Sequence, residues 1–230
     1  MKKGTSLLVA TISCFVSASF DTAYSQDDTD SKFKVGADFY SNYIWRGSNY
    51  GTGPVIQPSA KYSGKILTAG AWASTDLNGF QEADLFLSFA LPAGFSAGLT
   101  DYYFSGLEYF DYSSASGCHA YEINLGFAKA GFSLSGNYII NEAGGAGSLG
   151  GDTYLQAGYS FSYFNVFLGA GDGWHTFNPD TGEDKFAVCN LGIGVLKSIK
   201  VTETFNIPVT GQVILNPDKE QMFIVVGFTF

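Results

Sequence analysis

From residue 33 to the end of the chain, apolar and polar side chains alternate in short runs separated by turn-forming residues. A period of two marks a strand with two unlike faces. The pattern predicts strands at 33–46, 54–62, 65–74, 81–91, 94–104, 118–129, 131–140, 152–162, 164–172, 185–197, 203–215 and 220–230. Met222, Ile224, Val226, Phe228 and Phe230 share one face of the last strand. Val35, Ala37, Phe39, Tyr43 and Trp45 do so in the first, Ala83, Leu85, Leu87, Phe89 and Leu91 in the fourth. Tyr121, Ile123, Leu125 and Phe127 repeat the pattern. The opposite face is polar or small. It carries Asp38, Tyr40, Asn42 and Arg46, then Glu82, Asp84 and Ser88, then Glu122, Asn124 and Gly126. Ser133, Ser135, Asn137, Gln156, Gly158, Ser160, Asn206, Thr210 and Gln212 continue it. Three positions fit poorly. Asp101 falls on the apolar parity and asks for a bulge or an interfacial place. Pro208 sits inside a predicted strand, where it removes a ladder donor. The face of Trp72 stays open.

The twelve predicted strands are an even set, and most are about 9–12 residues, the length a tilted membrane strand needs. Their connections alternate. Short ones fall at Ser63-Gly64, Pro92-Ala93, Ala130, Tyr163 and 198–202; longer ones fall at 47–53, 75–80, 105–117, 141–151 and 173–184, with a shorter last one at 216–219. Charge sorts the same way. Lys32, Lys34, Lys61, Lys65, Lys129, Lys197 and Lys200 lie at the short-turn end. Asp76, Glu108, Asp111, Glu142, Asp152, Asp172, Asp180, Glu183, Asp184, Asp218 and Glu220 lie at the long-loop end.

Parity does not say whether the apolar face points to a core or to lipid. The poverty in charge, the loop asymmetry and an export-type N-terminus together point to lipid. Charged residues are only 14% of the chain and apolar ones 46%, where a soluble domain carries about 25% charge. No later run is apolar for the roughly 18 residues a spanning helix needs, so a bilayer-crossing form has to be a barrel. The expected fold is all-β: a single antiparallel transmembrane β-barrel of about twelve strands, with short periplasmic turns and longer extracellular loops.

The N-terminus has the parts of an export signal: Lys2 and Lys3, an apolar core from Leu7 to Phe20, and Ala23-Tyr24-Ser25 before Gln26. The expected organisation is a signal peptide at 1–25, a polar lead-in at 26–32 and the barrel at 33–230. Loss of Lys2, Lys3 and Asp21 leaves the chain one unit more negative than its formal −9. That charge argues against nucleic acid as a partner, since phosphate binding needs clustered Lys and Arg. The expected location is the bacterial outer membrane, with lipid, lipopolysaccharide, the barrel-assembly machinery and small hydrophilic solutes as partners. Phe228 and Phe230 end an alternating final strand and are the expected assembly signal.

Ser41-Asn42-Tyr43-Ile44-Trp45-Arg46-Gly47 resembles the opening motif of the TorF-family porins, bacterial outer-membrane proteins of largely undefined function. Pro54-Val55-Ile56-Gln57-Pro58, Gly70-Ala71-Trp72-Ala73-Ser74, Glu82-Ala83-Asp84-Leu85, Leu99-Thr100-Asp101-Tyr102-Tyr103 and Tyr121-Glu122 follow in similar order. The likeness covers roughly residues 33–128 by motif and the remainder by pattern. It implies an outer-membrane barrel with a pore, and supplies neither a substrate nor catalytic residues.

Asp38, Asn42, Arg46, Glu82, Asp84, Glu122 and Asn124 are the candidate site, on the face expected to line the lumen. Two readings stay open. They line a narrow, cation-preferring passage, since carboxylate rings select cations. Alternatively, a salt-bridge network around Arg46 fills a closed lumen. No catalytic residue, metal ligand or cofactor is expected. His119 and His175 lack metal-ligand spacing; His175 reads as a surface loop residue, and His119, near Ser113, Ser114 and Ser116, as a weak candidate for lipid hydrolysis. The acids Asp172, Asp180, Glu183 and Asp184 do not have the spacing of a calcium loop and read as a solvated loop. The glycine-rich run 144–151 lacks the Lys-Ser/Thr ending of a phosphate loop. Cys118 is expected toward the lumen and Cys189 toward lipid, both as free thiols.

Overall fold

The computed structural model describes residues 32–203 and 205–230. The expected signal peptide and nearly all of the lead-in lie outside the described residues. The structure is a closed antiparallel barrel of twelve strands. They are β1 (Phe33–Tyr40), β4 (Val55–Ser63), β5 (Leu67–Asp76), β6 (Gln81–Ala90), β7 (Phe95–Phe104), β8 (His119–Lys129), β9 (Phe132–Ile139), β10 (Thr153–Ser160), β11 (Asn165–Gly171), β12 (Ala187–Lys200), β13 (Asn206–Asn216) and β14 (Gln221–Thr229). Each pairs with its sequence neighbour, and β1 closes the ring against β14. At that seam Ala37 and Phe230 exchange backbone bonds of 3.0 and 2.9 Å. Phe39 stacks on Phe228, with ring centroids 5.0 Å apart.

Two further short strands, β2 (Tyr43–Trp45) and β3 (Ser48–Tyr50), form a separate hairpin between β1 and β4. This corrects the expectation of one strand over 33–46. The wall strand ends at Tyr40. Ser41 makes the last wall contacts, donating its N–H to Val226 O at 2.8 Å and accepting from Val226 N through its hydroxyl at 3.2 Å. The chain then turns into the barrel. Tyr43 and Trp45 were expected to face lipid; they are 2% and 4% exposed, buried inside.

The wall follows the alternation. Met222, Ile224, Val226, Leu85, Leu125 and Val35 point outward and are exposed to the surroundings. A continuous apolar surface of this kind is stable against hydrocarbon, and closure satisfies every ladder without an edge. The exterior is therefore the lipid face of a transmembrane barrel. On the other parity, Glu82, Asp84, Thr100, Glu122, Asn124, Asn137 and Gln212 are buried inside.

The misfits have local causes. Asp101 needs no bulge: the β7–β8 register is continuous, and its outward carboxylate meets His119 at the rim. Pairing of β13 with β14 begins only at Val209, so Pro208 stands where that ladder has ended. Trp72 faces inward and packs on Tyr43, at 5.6 Å between centroids. Cys189 reverses its expected direction. A register shift between Gly169 and Ala170 places Asn190 opposite Gly169 but Val188 opposite Ala170. The extra residue at this bulge is Cys189, which turns inward and is fully buried. Cys118 and Cys189 are both free thiols.

Candidate functional site

The hairpin builds the site. Its two-residue turn is Arg46-Gly47, with φ of 50° and 85°. Positive φ at both positions is what a tight hairpin of this twist requires. Gly47 is needed for space as well: a Cβ there would lie 1.8 Å from the Cys189 carbonyl oxygen. The bulge in β12 and the missing side chain of Gly47 thus fit one another. Asn216 Nδ2 donates to Gly47 O at 3.0 Å, and Lys219 Nζ to Ser48 Oγ at 3.4 Å. At the hairpin's exit Thr52 N donates to Asp76 Oδ2 at 2.9 Å.

This turn carries Arg46 to Glu122 on β8. Arg46 Nη1 donates to Glu122 Oε2 at 2.6 Å, and Nη2 to Oε1 at 2.8 Å. Planar, bidentate pairing of this kind is the strongest form of such a bond. The guanidinium lies 4.5 Å from the Trp45 ring centroid and 4.6 Å from that of Tyr154. Glu122 Oε1 also accepts from Tyr102 Oη at 3.0 Å and Asn124 Nδ2 at 2.5 Å. Asn124 joins Thr100 at 2.8 Å and Asn137 at 3.0 Å. Tyr154 Oη donates to Gln156 Oε1 at 2.6 Å and accepts from Asn190 Nδ2 at 2.8 Å. Tyr154 has room because Gly169 faces it; a Cβ there would meet the hydroxyl at 2.1 Å.

The loop between β11 and β12 closes the site from above. Within it, Trp174 N donates to Asp152 Oδ2 at 3.1 Å and Trp174 Nε1 to Gly147 O at 2.7 Å. His175, expected on a surface loop, is instead 1% exposed. Its Nε2 lies 3.5 Å from Arg46 Nη1, and Nδ1 has no hydrogen-bond partner. Burial and the Arg46 guanidinium, with Lys219 further off, hold this imidazole well below its ordinary pKa. It is neutral, with Nε2 free to accept from Arg46. The loop acids are partly used as backbone acceptors: Asp172 takes Thr153 N at 2.5 Å and Asp184 takes Gly173 N at 2.7 Å. Among the described residues no group of three or more His, Cys, Asp or Glu is placed to hold a metal.

The other candidates lie around this centre. Glu82 and Asp84 follow each other on the inner face of β6, and Asp84 is the register partner of Tyr102. The Tyr43 hydroxyl bonds to Glu82. Glu82 Oε2 and both Asp84 oxygens are buried without a well-formed hydrogen bond. Asn42 lines a recess at the hairpin's base with Tyr40, Gln57 and Gln212. Asp38 stands apart at the seam, where it accepts from the Thr229 hydroxyl. So the fold gathers Arg46, Glu122 and Asn124, sets Glu82 and Asp84 two strands further round on β6, and leaves Asp38 separate. Tyr102, Tyr154, Trp174 and His175 complete the centre and were not candidates. The two tyrosines were readable, since they share parity with Thr100 and Gln156; the loop pair had no periodic signal.

A second polar cluster lies on the outer surface at the rim. His119 Nδ1 is 2.8 Å from Asp101 Oδ1, and Nε2 is 2.7 Å from Tyr109 O. The rings of Tyr103, Tyr109 and Tyr112 surround it. Both nitrogens are thus engaged. The Ser116 hydroxyl turns to Asp111, at 2.7 Å, and to Ser113, at 3.1 Å. The arrangement ties the loop before β8 to the wall rather than aligning a base with a nucleophile.

No family model matches the chain, and no curated protein matches it. Solved porin structures are distantly similar. OccK8 (OprE) of Pseudomonas aeruginosa is 13% identical with a TM-score of 0.40, over 87% of this chain and 67% of that one. OccAB3 of Acinetobacter baumannii is 9% identical with a TM-score of 0.39, over 86% and 65%. A substituted form of the Rh. blastica porin is 12% identical with a TM-score of 0.39, over 76% and 55%. The chain thus spans between 55% and 67% of the length of these three porins.

Proposed function

We propose that the chain is a channel of the bacterial outer membrane for small hydrophilic solutes, preferring cations and shut by its own hairpin. One observation carries this reading. β2 and β3 pair only with each other, while β1 and β4 pair directly across eight register positions beneath them. The hairpin can leave the lumen without breaking a wall ladder. It is held by side-chain bonds, which can be remade. The path beyond it is polar, and Glu82, Asp84 and Glu122 outnumber the single guanidinium of Arg46 there. A group of carboxylates favours cations. Twelve strands enclose less than the 16–18 of wide aqueous porins, so the passage is narrow.

The loop asymmetry, the sorted charges and the export-type segment at 1–25 support an outer-membrane location with the short turns in the periplasm. The TorF resemblance agrees with it. Phe228 and Phe230, at the seam, are the assembly signal in this reading, and lipopolysaccharide meets the band below the acidic loops. No reaction is assigned to the chain. The occluded lumen favours one other reading, a closed structural or adhesive barrel that binds partners by its outer loops.

Planar-bilayer recording of the refolded full chain separates the two. Discrete openings, more frequent once the hairpin's latch is weakened, support the channel; silence at all voltages in both forms rejects it. Glu82→Gln with Asp84→Asn should cut the cation preference by about half. An unchanged reversal potential in a salt gradient would remove these carboxylates from the path.

A further inference from the structure

We infer that the Arg46 pocket is a binding site for guanidinium-bearing small solutes, and that Arg46 occupies it as a tethered competitor. The inference rests on the channel reading above and names the solute class of that same site. Most walls of the pocket stay when the hairpin leaves. Glu122 belongs to β8, Tyr102 to β7 and Tyr154 to β10, and His175 to the loop after β11. Only Trp45 departs with Arg46. What remains is a carboxylate released by Arg46, its Oε2 bare and its Oε1 still accepting from Tyr102 and Asn124, with a ring face 4.6 Å from where the guanidinium carbon lay and a neutral imidazole acceptor 3.5 Å from its nitrogen. A planar cation with N–H groups along its edge meets all three at once. An ammonium ion has no pair of parallel N–H groups to match the two carboxylate oxygens, and a neutral planar amide lacks the charge.

The approach to the pocket is also made for a cation. Leaving with the hairpin, Tyr43 releases Glu82. The Glu82 Oε2 and both Asp84 oxygens already lack well-formed partners while buried. Asp84 is linked to the pocket through Tyr102, its register partner, whose hydroxyl donates to Glu122. A solute entering from the acidic loop end therefore passes from the Glu82 and Asp84 pair to Glu122. Arg46 is bound intramolecularly, and a short tether gives an effective concentration in the millimolar range. A free guanidinium compound must exceed that level to displace it. Solute binding and hairpin release are then one exchange: the solute takes the site that Arg46 vacates.

The test uses the refolded full chain with methylguanidinium as probe, methylammonium and urea as controls, and heat-modifiable gel migration to verify folding. Two readouts run in parallel: bilayer conductance, and tryptophan fluorescence of the detergent-solubilised protein. Arg46→Ala should open more often than the wild type. Methylguanidinium should bind it at least about tenfold more tightly than it binds the wild type, since the tethered competitor is gone. Glu122→Gln added to Arg46→Ala should abolish that binding. Equal binding of methylguanidinium and methylammonium, with channels present, overturns the inference and leaves the channel standing. Saturable, Glu122-dependent fluorescence binding without any channel events keeps the site and overturns the channel. Absence of both overturns both. Should Arg46→Ala not fold, Arg46→Lys replaces it, because a lysine cannot hold both oxygens; unchanged methylguanidinium affinity in that variant overturns the inference.

Discussion

The two halves of the barrel interior share strands and yet differ in kind. Toward the long loops, Val55, Gln57, Ser74, Glu82, Thr100, Glu122, Asn137 and Ile214 are all buried. Toward the short turns the same strands continue inward with Ser59, Gly70, Ser88, Gly98, Ser135, Gly158 and Thr210, all partly exposed, with Phe86 and Phe167 as larger exceptions. The wall alone does not explain the difference. The loop-end half is filled by inserted segments, the 41–54 hairpin and the Trp174-His175 turn, packed against ring faces and bonded to carboxylates. The turn-end half is lined mainly by small side chains that stay partly exposed. In the channel proposed above, the first end is the seat of a removable part and the second the conduit.

The largest break in this comparison comes from Glu122. Its carboxylate accepts two bonds from Arg46, one from Tyr102 and one from Asn124. Glu122→Gln keeps the shape and removes the charge that Arg46 faces. Breaking one side of a buried pair costs about 3–5 kcal/mol, and at about 3 kcal/mol the open-to-shut ratio of the hairpin rises about a hundredfold. Single-channel open probability reads this directly. Ser135→Ala, in the turn-end half, should leave the ratio unchanged; equal effects from both would erase the distinction between the halves.

Gly47→Ala comes next. The added methyl would meet the Cys189 carbonyl at 1.8 Å, at a φ of 85°. Overpacking of this sort costs about 2 kcal/mol, or roughly thirtyfold in the same ratio. The barrel itself should stay intact, because the hairpin shares no ladder with it. Loss of heat-modifiable migration in this variant would mean that hairpin and wall fold as one unit.

The wall was legible because a membrane barrel writes two environments onto alternate residues. Each of the twelve strands was found within a few residues, save the first. Its end was hidden because Asn42 and Arg46 continue the polar parity of Asp38 and Tyr40, so the alternation runs through the point where the chain leaves the wall. Arg-Gly is also not a usual turn pair for a hairpin, unlike Asn-Gly. Cys189 is misplaced for a related reason: it shares parity with the outward Leu191, Ile193 and Val195, and the one-residue bulge that turns it inward leaves no mark on composition. Parity puts Arg46, Glu122 and Asn124 on one face and leaves a salt-bridge network around Arg46 as one of two readings, but parity carries no distance and does not name Glu122 as the partner. His175 was not readable at all, since a loop's fold into the mouth depends on partners such as Asp152 and Gly147 that are remote in sequence.

The smallest expected effect is that of acid, and it acts through His175. The groups that face this imidazole are the Arg46 guanidinium at 3.5 Å and the rings of Trp45 and Tyr154 at 5.0 and 4.9 Å, with the Lys219 charge adding from β14's approach. Burial and both cations lower its pKa in the shut state, so that state holds it neutral. Once the hairpin leaves, Arg46 is gone, the ring meets water, and the pKa returns toward about 6.5. The open state therefore binds the extra proton. Stability of the shut state is complete above that ordinary value and falls as pH drops below it. Between pH 7.5 and 5.5 the open-to-shut ratio should rise by about tenfold, or about 1.4 kcal/mol. His175→Gln keeps an acceptor near Arg46 but cannot be protonated, and should flatten the profile over this range. A profile that stays steep in His175→Gln would move the sensor to another group. One that is flat in the wild type would mean that the loop end does not reopen to water when the hairpin moves.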